Sequence, residues 1–321
     1  MNPLLNLLAN ENMKLYRRLR TWILVLIMAA IVILTGVLMK THESPITANW
    51  KQNLVAQDQA ISQQLTSGHH LGMLGRSKAY LEVQLKTNEY EISHNVAPAQ
   101  YTAWSFANEI EQRAVGALLT VFVAIVAGDI VAGEFSGGTI KLLLTRPQTR
   151  NKILLSKYVS TLLFSVVLMA ITLAVSLIVG TILFGLSGAD APYIYINASG
   201  QVLQMNMVAY LFANYGFNSV SLLMTVTIAF MISTIFRSSS IAIAISIVSL
   251  FIGSTLVEVL QSYSWDKFIL FANLNLAQYF FNGPLIQGMT LSFSITTLVV
   301  YFVVMVALSW YIFKKRDVAL T

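Results

Sequence analysis

Six long runs of apolar residues limit what this chain can fold into more than any other feature. A helix rises about 1.5 Å per residue, so about 20 apolar residues cross a hydrocarbon core of about 30 Å. The runs predict membrane-spanning helices at residues 21–40, 114–131, 158–184, 208–236, 241–260 and 291–313. Only 11% of the 321 residues are charged, whereas soluble proteins carry about a quarter. We therefore expect an all-α integral membrane protein.

The segments outside these runs differ in composition. Residues 1–20 place leucines at helical spacing beside four basic residues, which favours a helix on the cytoplasmic membrane surface over a solvated basic tail. Residues 41–112 are polar and predict a helical insertion on the extracytoplasmic side. The rest of the chain, 113–321, holds spans two to six and a cytoplasmic loop at 132–157. Residues 261–290 mix aromatic and polar residues, which is typical of interfacial or re-entrant helices.

Lysine and arginine predict the orientation. The two termini, the loop at 132–157 and the turn at Arg237 carry 13 basic residues. The short segments on the other side carry 1, because the long insertion at 41–113 counts little in this rule. We therefore expect six spans with both termini in the cytoplasm. The net charge of +6 follows this sidedness and does not indicate nucleic-acid binding.

The loop at Gly133–Lys157 combines basic and apolar residues in a defined order. Gly137 and Gly138 end the preceding helix, because glycine lifts the restraint on the backbone. Residues 139–145 predict a helix of about two turns, and Pro147 ends it. The result is a basic knob with an apolar helix face at the membrane surface.

The run GDIVAGEFSGGTIKLLLTRPQTRNKILLSK, from Gly128 to Lys157, resembles the first cytoplasmic loop of exporter-type (type V) permeases of ATP-binding-cassette transporters. In that family the loop docks on a separate ATPase subunit and relays its motion to the membrane helices. The six-span layout and the Arg316-Asp317 tail extend the likeness. The resemblance implies that the coupling residues are Glu134, Gly138, Thr139, Ile140, Lys141, Leu143, Leu144, Arg146, Pro147 and Arg150.

The resemblance also implies a function and an assembly. The chain would be the permease subunit of an exporter in a bacterial plasma membrane, moving a hydrophobic or amphipathic cargo such as an antimicrobial peptide or lipid. It would pair with a second permease, identical or related, and with two ATPase subunits that bind ATP and Mg. We expect no enzyme activity and no cofactor in this chain, because Thr139 stands where a P-loop needs lysine.

Two other functions stay open at this stage. An ion-coupled secondary transporter would place carboxylates deep in its spans, but Asp129 and Glu258 lie near span ends. A membrane sensor or immunity protein would bind a ligand through residues 41–112.

Asp129 is expected to pair with basic loop residues or interfacial groups. Glu134 either stabilises its own helix start or links the loop to the membrane helices.

Overall fold

The computed structural model describes residues 3–43, 49–66, 78–98, 100–112, 114–140, 148–197, 200–260, 263, 265–281, 286 and 288–315. Within these ranges the protein is mostly helical. The helices are α1 (Pro3–Arg17), α2 (Leu19–His42), α3 (Trp50–Thr66), α4 (Lys78–His94), α5 (Ala103–Gln112), α6 (Ala114–Asp129), α7 (Ala132–Ser136), α8 (Arg150–Phe184), α9 (Met207–Ile235), α10 (Ser239–Leu260) and α11 (Leu291–Lys315). A hairpin of β1 (Pro192–Ile196) and β2 (Val202–Asn206) precedes α9.

Five helices in the described ranges, α2, α8, α9, α10 and α11, are long and apolar enough to cross a membrane. A sixth candidate is the pair formed by α5 and α6, which is bent by 56°. Exposed valines on α11, such as Val299 and Val303, give that helix an apolar outer face suited to lipid. The protein is therefore a multi-pass membrane protein, with five or six candidate spans among the described residues.

Helix α9 lies at the centre and is the most buried of the five candidate spans. It packs against α6, α8, α10 and α11. Helix α8 packs against α1, α2 and α5 as well, and two glycines permit close approach. A Cβ atom at Gly36 of α2 would lie 2.9 Å from Leu183, and one at Gly180 would lie 2.8 Å from Ala103. Gly180 excludes a larger residue because the contact is with backbone, whereas the side-chain ends that face Gly36 can shift.

The hairpin lies between the third and fourth apolar runs, where the composition of residues 186–205 predicts a polar loop. Its strands pair in antiparallel register from Pro192–Asn206 to Ile196–Val202. The run Pro-Tyr-Ile-Tyr-Ile has the aromatic and β-branched composition of a strand. Gly200 has a φ of 80°, and Asn197 accepts a hydrogen bond from the Gln201 backbone N–H at 2.9 Å. The sequence contains these strand and turn residues, but the polar composition of the surrounding residues favours a loop.

Helices α3 and α4 pack on each other in the segment expected to be an outer insertion, and α4 also contacts the hairpin. Asn88 of α4 donates to Asp58 of α3 at 2.7 Å. The last part of the insertion, α5, instead packs against α8 and α9, and its residues Phe106 and Ile110 are fully buried. Helix α5 is thus built into the helical body, although the sequence grouped it with the polar insertion.

Three short 3₁₀ helices occupy residues 266–279, where the sequence indicated interfacial or re-entrant helices. They are Asp266–Phe268, Leu270–Asn273 and Leu276–Tyr279. Asn273 is fully buried and accepts a hydrogen bond from Ser294 of α11 at 2.6 Å. This polar contact fixes the short helices to the bundle at the end where α11 begins.

Candidate functional site

Four charged side chains and one hydroxyl meet where α1, α7 and α8 come together, and we name them the anchor cluster. Its members are Glu11, Lys14, Glu134, Thr139 and Lys157. The Nζ atom of Lys157 lies 2.7 Å from Oε2 of Glu11 and 2.9 Å from Oε1 of Glu134. The Nζ atom of Lys14 lies 3.0 Å from the same Glu134 oxygen. Thr139 donates its hydroxyl hydrogen to Oε2 of Glu134.

The anchor cluster is almost closed to solvent on one side. The side chain of Lys157 is 1% exposed, those of Glu11 and Glu134 are 4% and 5% exposed, and that of Lys14 is 38% exposed. Two carboxylates balance two ammonium groups, so the cluster carries no net charge. A buried charge is tolerated only when it is paired and hydrogen-bonded. Each member of the cluster therefore depends on the others.

Burial would raise the pKa of Glu134, but its partners outweigh this effect. The Lys157 ammonium and hydrogen bonds from Thr139, Lys157 and Lys14 hold the pKa of this carboxyl at about 2. Glu134 stays ionised at every physiological pH and can anchor both lysines. Of the two roles considered for Glu134, the link to a membrane helix is therefore present, through Lys157 of α8.

We expect Glu134→Gln to lower stability in a way that depends on pH. The folded pKa of about 2 lies below the ordinary 4.5, so the charge stabilises the fold fully above about pH 5 and less as pH falls toward 2. The variant should lose about 3 kcal/mol at pH 7. Melting curves in detergent at pH 7, 5, 4 and 3 should show the gap to the parent protein narrowing with acid. A gap that stays constant with pH would contradict the ion pairing.

A second group of charges surrounds Asp129 at the end of α6, and we name it the arginine cluster. Oδ2 of Asp129 accepts hydrogen bonds from Arg18 and from Arg20 at 2.5 Å each, and Ser239 donates to Oδ1. Asp129 is 6% exposed. The sequence predicts basic loop residues or interfacial groups as the partners of Asp129, and the observed partners are Arg18 and Arg20, at the junction of α1 and α2.

The position of the Asp129 carboxylate explains why residue 133 is a glycine. A Cβ atom on Gly133 would lie 2.7 Å from Oδ1 of Asp129 and would push the carboxylate away from its partners. The chain also changes direction here, between α6 and α7. The fully buried Ser233 of α9 accepts hydrogen bonds from the backbone N–H groups of Val131 at 3.1 Å and Ala132 at 3.0 Å. This hydroxyl satisfies donors that the break in the helix would leave unpaired.

Comparison with known proteins places these residues in a family. Residues 79–319 match the family model described as "Protein of unknown function (DUF2705)", which is about three quarters of the chain. The chain belongs to this family. The matched region contains Asp129, Glu134, Thr139, Lys157 and Ser239, whereas Glu11, Lys14, Arg18 and Arg20 precede it. The family region therefore supplies only part of each cluster.

Two curated proteins of Bacillus subtilis (strain 168) are similar to this family member over long stretches. "Uncharacterized protein YhcI" is 38% identical over 321 residues, covering 98% of this chain and 100% of YhcI. "Uncharacterized membrane protein YdbK" is 32% identical over 204 residues, covering 63% of this chain and 78% of YdbK. The second name agrees with the membrane character of the helices. Neither name states an activity.

The expected coupling residues fall into four groups in this family member. Glu134 and Thr139 are in the anchor cluster. Gly138 has a φ of 69°, a backbone conformation that favours glycine, and it follows the end of α7 as expected. Lys141, Leu143, Leu144, Arg146 and Pro147 lie outside the described residues.

Ile140 and Arg150 differ from the exposed positions expected for them. Ile140 is 4% exposed and packs in the main core with residues such as Leu154 and Tyr158. A side chain buried in its own chain is not available to a docking partner, so the apolar face is reduced to Leu143 and Leu144. Arg150 begins α8 and donates to the carbonyl oxygen of Lys314 at 3.0 Å. This bond ties the loop to the end of the last helix.

Sequence reasoning missed the amino-terminal half of both clusters. Glu11 is the sole carboxylate in residues 1–20, and it stands three residues before Lys14 in an otherwise basic helix. A lone acid in such a helix signals a specific partner. The partner, Lys157, lies 146 residues away in the chain. Only the packing of α1 on α8 reveals which lysine it is.

The described residues contain no group of three or more His, Cys, Asp or Glu side chains placed to hold a metal ion. His42 and His94 are exposed, on α2 and α4. His69 and His70, like the side chain of Glu258, lie outside the described part of the chain. The two clusters are thus ion-pair networks, and their chemistry is to hold elements together.

Proposed function

We propose that the chain is the membrane permease subunit of an ATP-driven exporter of the exporter-type (type V) ATP-binding-cassette kind. One observation carries this proposal: the ion pair between Glu134 and Lys157 closes the loop Gly133–Lys157 at its base. Glu134 is the second residue of the loop and Lys157 is the last. A loop closed at its base by buried charges moves with α8 as one body. That is what a docking element needs if it is to relay motion to membrane helices.

The proposed assembly contains two ATPase subunits and a second permease, identical to this chain or related to it. ATP and Mg would bind to the ATPase subunits, and this chain would hydrolyse nothing. The cargo would be hydrophobic or amphipathic, such as an antimicrobial peptide or a lipid, and the membrane would be a bacterial plasma membrane. The loop would offer Leu143 and Leu144 as an apolar centre with Lys141 and Arg146 around it, as in interfaces of modest size.

The proposed orientation places both termini and the closed loop in the cytoplasm. Because the chain has no cysteine, single cysteines report sidedness cleanly. In intact cells, a cysteine at Gln148 should react only with a membrane-permeant maleimide. Cysteines at Gln63 and Gln201, both on exposed positions, should react with an impermeant one. Labelling of the Gln148 variant from outside would overturn the orientation and the docking together.

The test of the function is purification of the tagged chain from its own membranes. We expect an ATPase subunit to co-purify, ATP hydrolysis by the complex to rise with cargo, and the chain alone to bind no nucleotide. Stoichiometric ATP binding by the isolated chain would contradict the proposal. A membrane complex that exports without ATP consumption would contradict it as well.

One observation favours the ion-coupled transporter as a second candidate. Glu111, which the sequence placed in the outer insertion, lies on α5 beside the central helix α9. Its Oε2 atom is buried and has no hydrogen-bond partner among the described residues. Buried carboxylates within a bundle are typical of proton and cation pathways. Uptake or efflux that follows an imposed proton gradient in vesicles lacking ATP would favour this candidate.

A further inference from the structure

Three adjoining cavities lie along α5, α8 and α9, well away from the anchor cluster. The inner cavity has a volume of about 140 Å³, the middle one about 280 Å³ and the outer one about 630 Å³. Glu111 and Asn218 line both the inner and middle cavities, and Gln112 lines both the middle and outer ones. Shared walls make them neighbours, and the larger two have the size that suits a small organic ligand.

The inner cavity contains two buried polar groups without partners. The Oε2 atom of Glu111 and the hydroxyl of Tyr215 have no hydrogen bond of ordinary geometry to any described residue. Tyr215 is only 5% exposed, and both side chains line the cavity. Ser176 faces Tyr215 but donates its own hydrogen to the carbonyl oxygen of Thr172. Burying such groups unpaired costs free energy, so their arrangement points to a missing partner.

The neighbouring polar groups, by contrast, satisfy one another. Gln112 donates to the hydroxyl of Tyr210 at 3.0 Å and to Asn108 at 3.1 Å. Asn214 also donates to Asn108, at 3.1 Å. Among the described residues that line the three cavities, one further buried atom has no hydrogen-bond partner, Oε1 of Gln84 in the wall of the outer cavity. The inner cavity is thus the one whose lining combines an unpaired carboxylate oxygen with an unpaired hydroxyl.

The residues that line the three cavities favour a positively charged ligand. The described residues that line the three cavities include three glutamates, Glu91, Glu109 and Glu111, and no lysine, arginine or histidine. Tyr193 and Tyr210 stack with their ring centroids 3.7 Å apart at the boundary of the middle and outer cavities. Aromatic faces attract cations, most strongly where water is excluded. Leu119, Met169 and Leu222 supply an apolar wall beside Glu111.

We propose that these cavities form a binding site for an organic cation, with the positive group beside Glu111 and Tyr215 and the apolar body along the tyrosines. Binding would pair the carboxylate that the fold leaves unpaired, and the unpaired hydroxyl of Tyr215 would accept from a cation that carries N–H donors. That this cation is the exported cargo rests on the function proposed above, whereas the binding itself does not.

The proposal is tested with the purified chain alone and a matched pair of probes. Benzyltrimethylammonium carries a quaternary ammonium group, and 2,2-dimethylpropylbenzene has the same shape with carbon in place of nitrogen. Equilibrium dialysis should show the cation bound at least ten-fold more tightly than its neutral analogue. Glu111→Gln should bring this ratio close to one. Glu89→Gln, an exposed glutamate on α4, should leave the ratio unchanged.

Melting temperatures distinguish variants that lose binding because they do not fold. Tyr215→Phe is a second, smaller change in the same cavity. It should keep the preference for the cation, because it leaves Glu111 in place. Equal binding of the two probes, or a folded Glu111→Gln protein that keeps the preference, would overturn the site. If the cation binds but no ATPase co-purifies, the binding site is supported and the proposed exporter function is contradicted. If an ATPase co-purifies but the chain shows no preference for the cation, the exporter function is supported and the binding site is contradicted.

Discussion

Replacing Lys157 with methionine should destabilise the protein by about 3–5 kcal/mol, the range measured when one partner of a buried ion pair is removed. Lys157 is 1% exposed and bonds both Glu11 and Glu134. Methionine keeps much of the volume but removes the ammonium, so two buried carboxylates lose their shared partner. Lys14, which is 38% exposed, remains in contact with both but lies nearer to solvent. Melting temperature in detergent and yield from the membrane measure the loss.

The matched control for this variant is Lys152→Met on the same helix. Lys152 is exposed, so its replacement should change stability by about 0.5 kcal/mol or less. Adding Glu11→Gln and Glu134→Gln to Lys157→Met should restore part of the loss, because no unpaired charge is then buried. If Lys157→Met and Lys152→Met both melt at the temperature of the parent protein, the anchor cluster contributes nothing to stability.

If the proposed ATPase subunit exists, replacing Leu143 with aspartate should strongly weaken association with it while leaving the chain folded. Placing a charge at the dry centre of an interface costs about 2 kcal/mol or more, which is roughly a 30-fold loss of affinity. Co-purification and cargo-stimulated ATP hydrolysis measure this loss. Gln148→Asp places the same charge on a half-exposed residue outside that centre, and it should weaken association only slightly and in a salt-dependent way.

The position of Ile140 changes which further variants are informative. A glycine at Ile140 would test flexibility of the short helix only if that side chain were exposed. Because it is 4% exposed in the main core, the change would also remove core packing and cost stability. Leu143→Asp is free of this difficulty provided that melting is unchanged. Normal assembly and parental hydrolysis in the Leu143 variant would leave the loop as a membrane-surface turn.

The spans were predictable because apolar composition and length suffice to define them. Expected and observed bounds agree closely for the last three spans, as in 291–313 against Leu291–Lys315. The sequence also predicts that a helix restarts near Asn151, ahead of the apolar run at 158, and the third helix begins at Arg150. Thr149 caps this start by accepting a hydrogen bond from the Lys152 backbone N–H.

The partners in the two clusters were not predictable because they join distant parts of the chain. Arg18 reaches Asp129 across 111 residues, and Lys14 reaches Glu134 across 120. Periodicity and charge patterns describe local structure, whereas these contacts depend on how α1 lies against α7 and α8. Glu111 was misjudged for the same reason. It stands in a polar stretch, and only the packing of α5 on α8 and α9 buries it.

Helix α8 is 35 residues long, or about 52 Å at the usual rise. It holds Lys157 of the anchor cluster near one end, and fifteen residues further along it holds Thr172 in the wall of the inner cavity. Because an intact helix neither stretches nor shortens, an axial shift imposed at Lys157 reaches Thr172 undiminished. A shift smaller than one helical turn would therefore change the width of a cavity of about 140 Å³ while every backbone hydrogen bond of the helix stays in place.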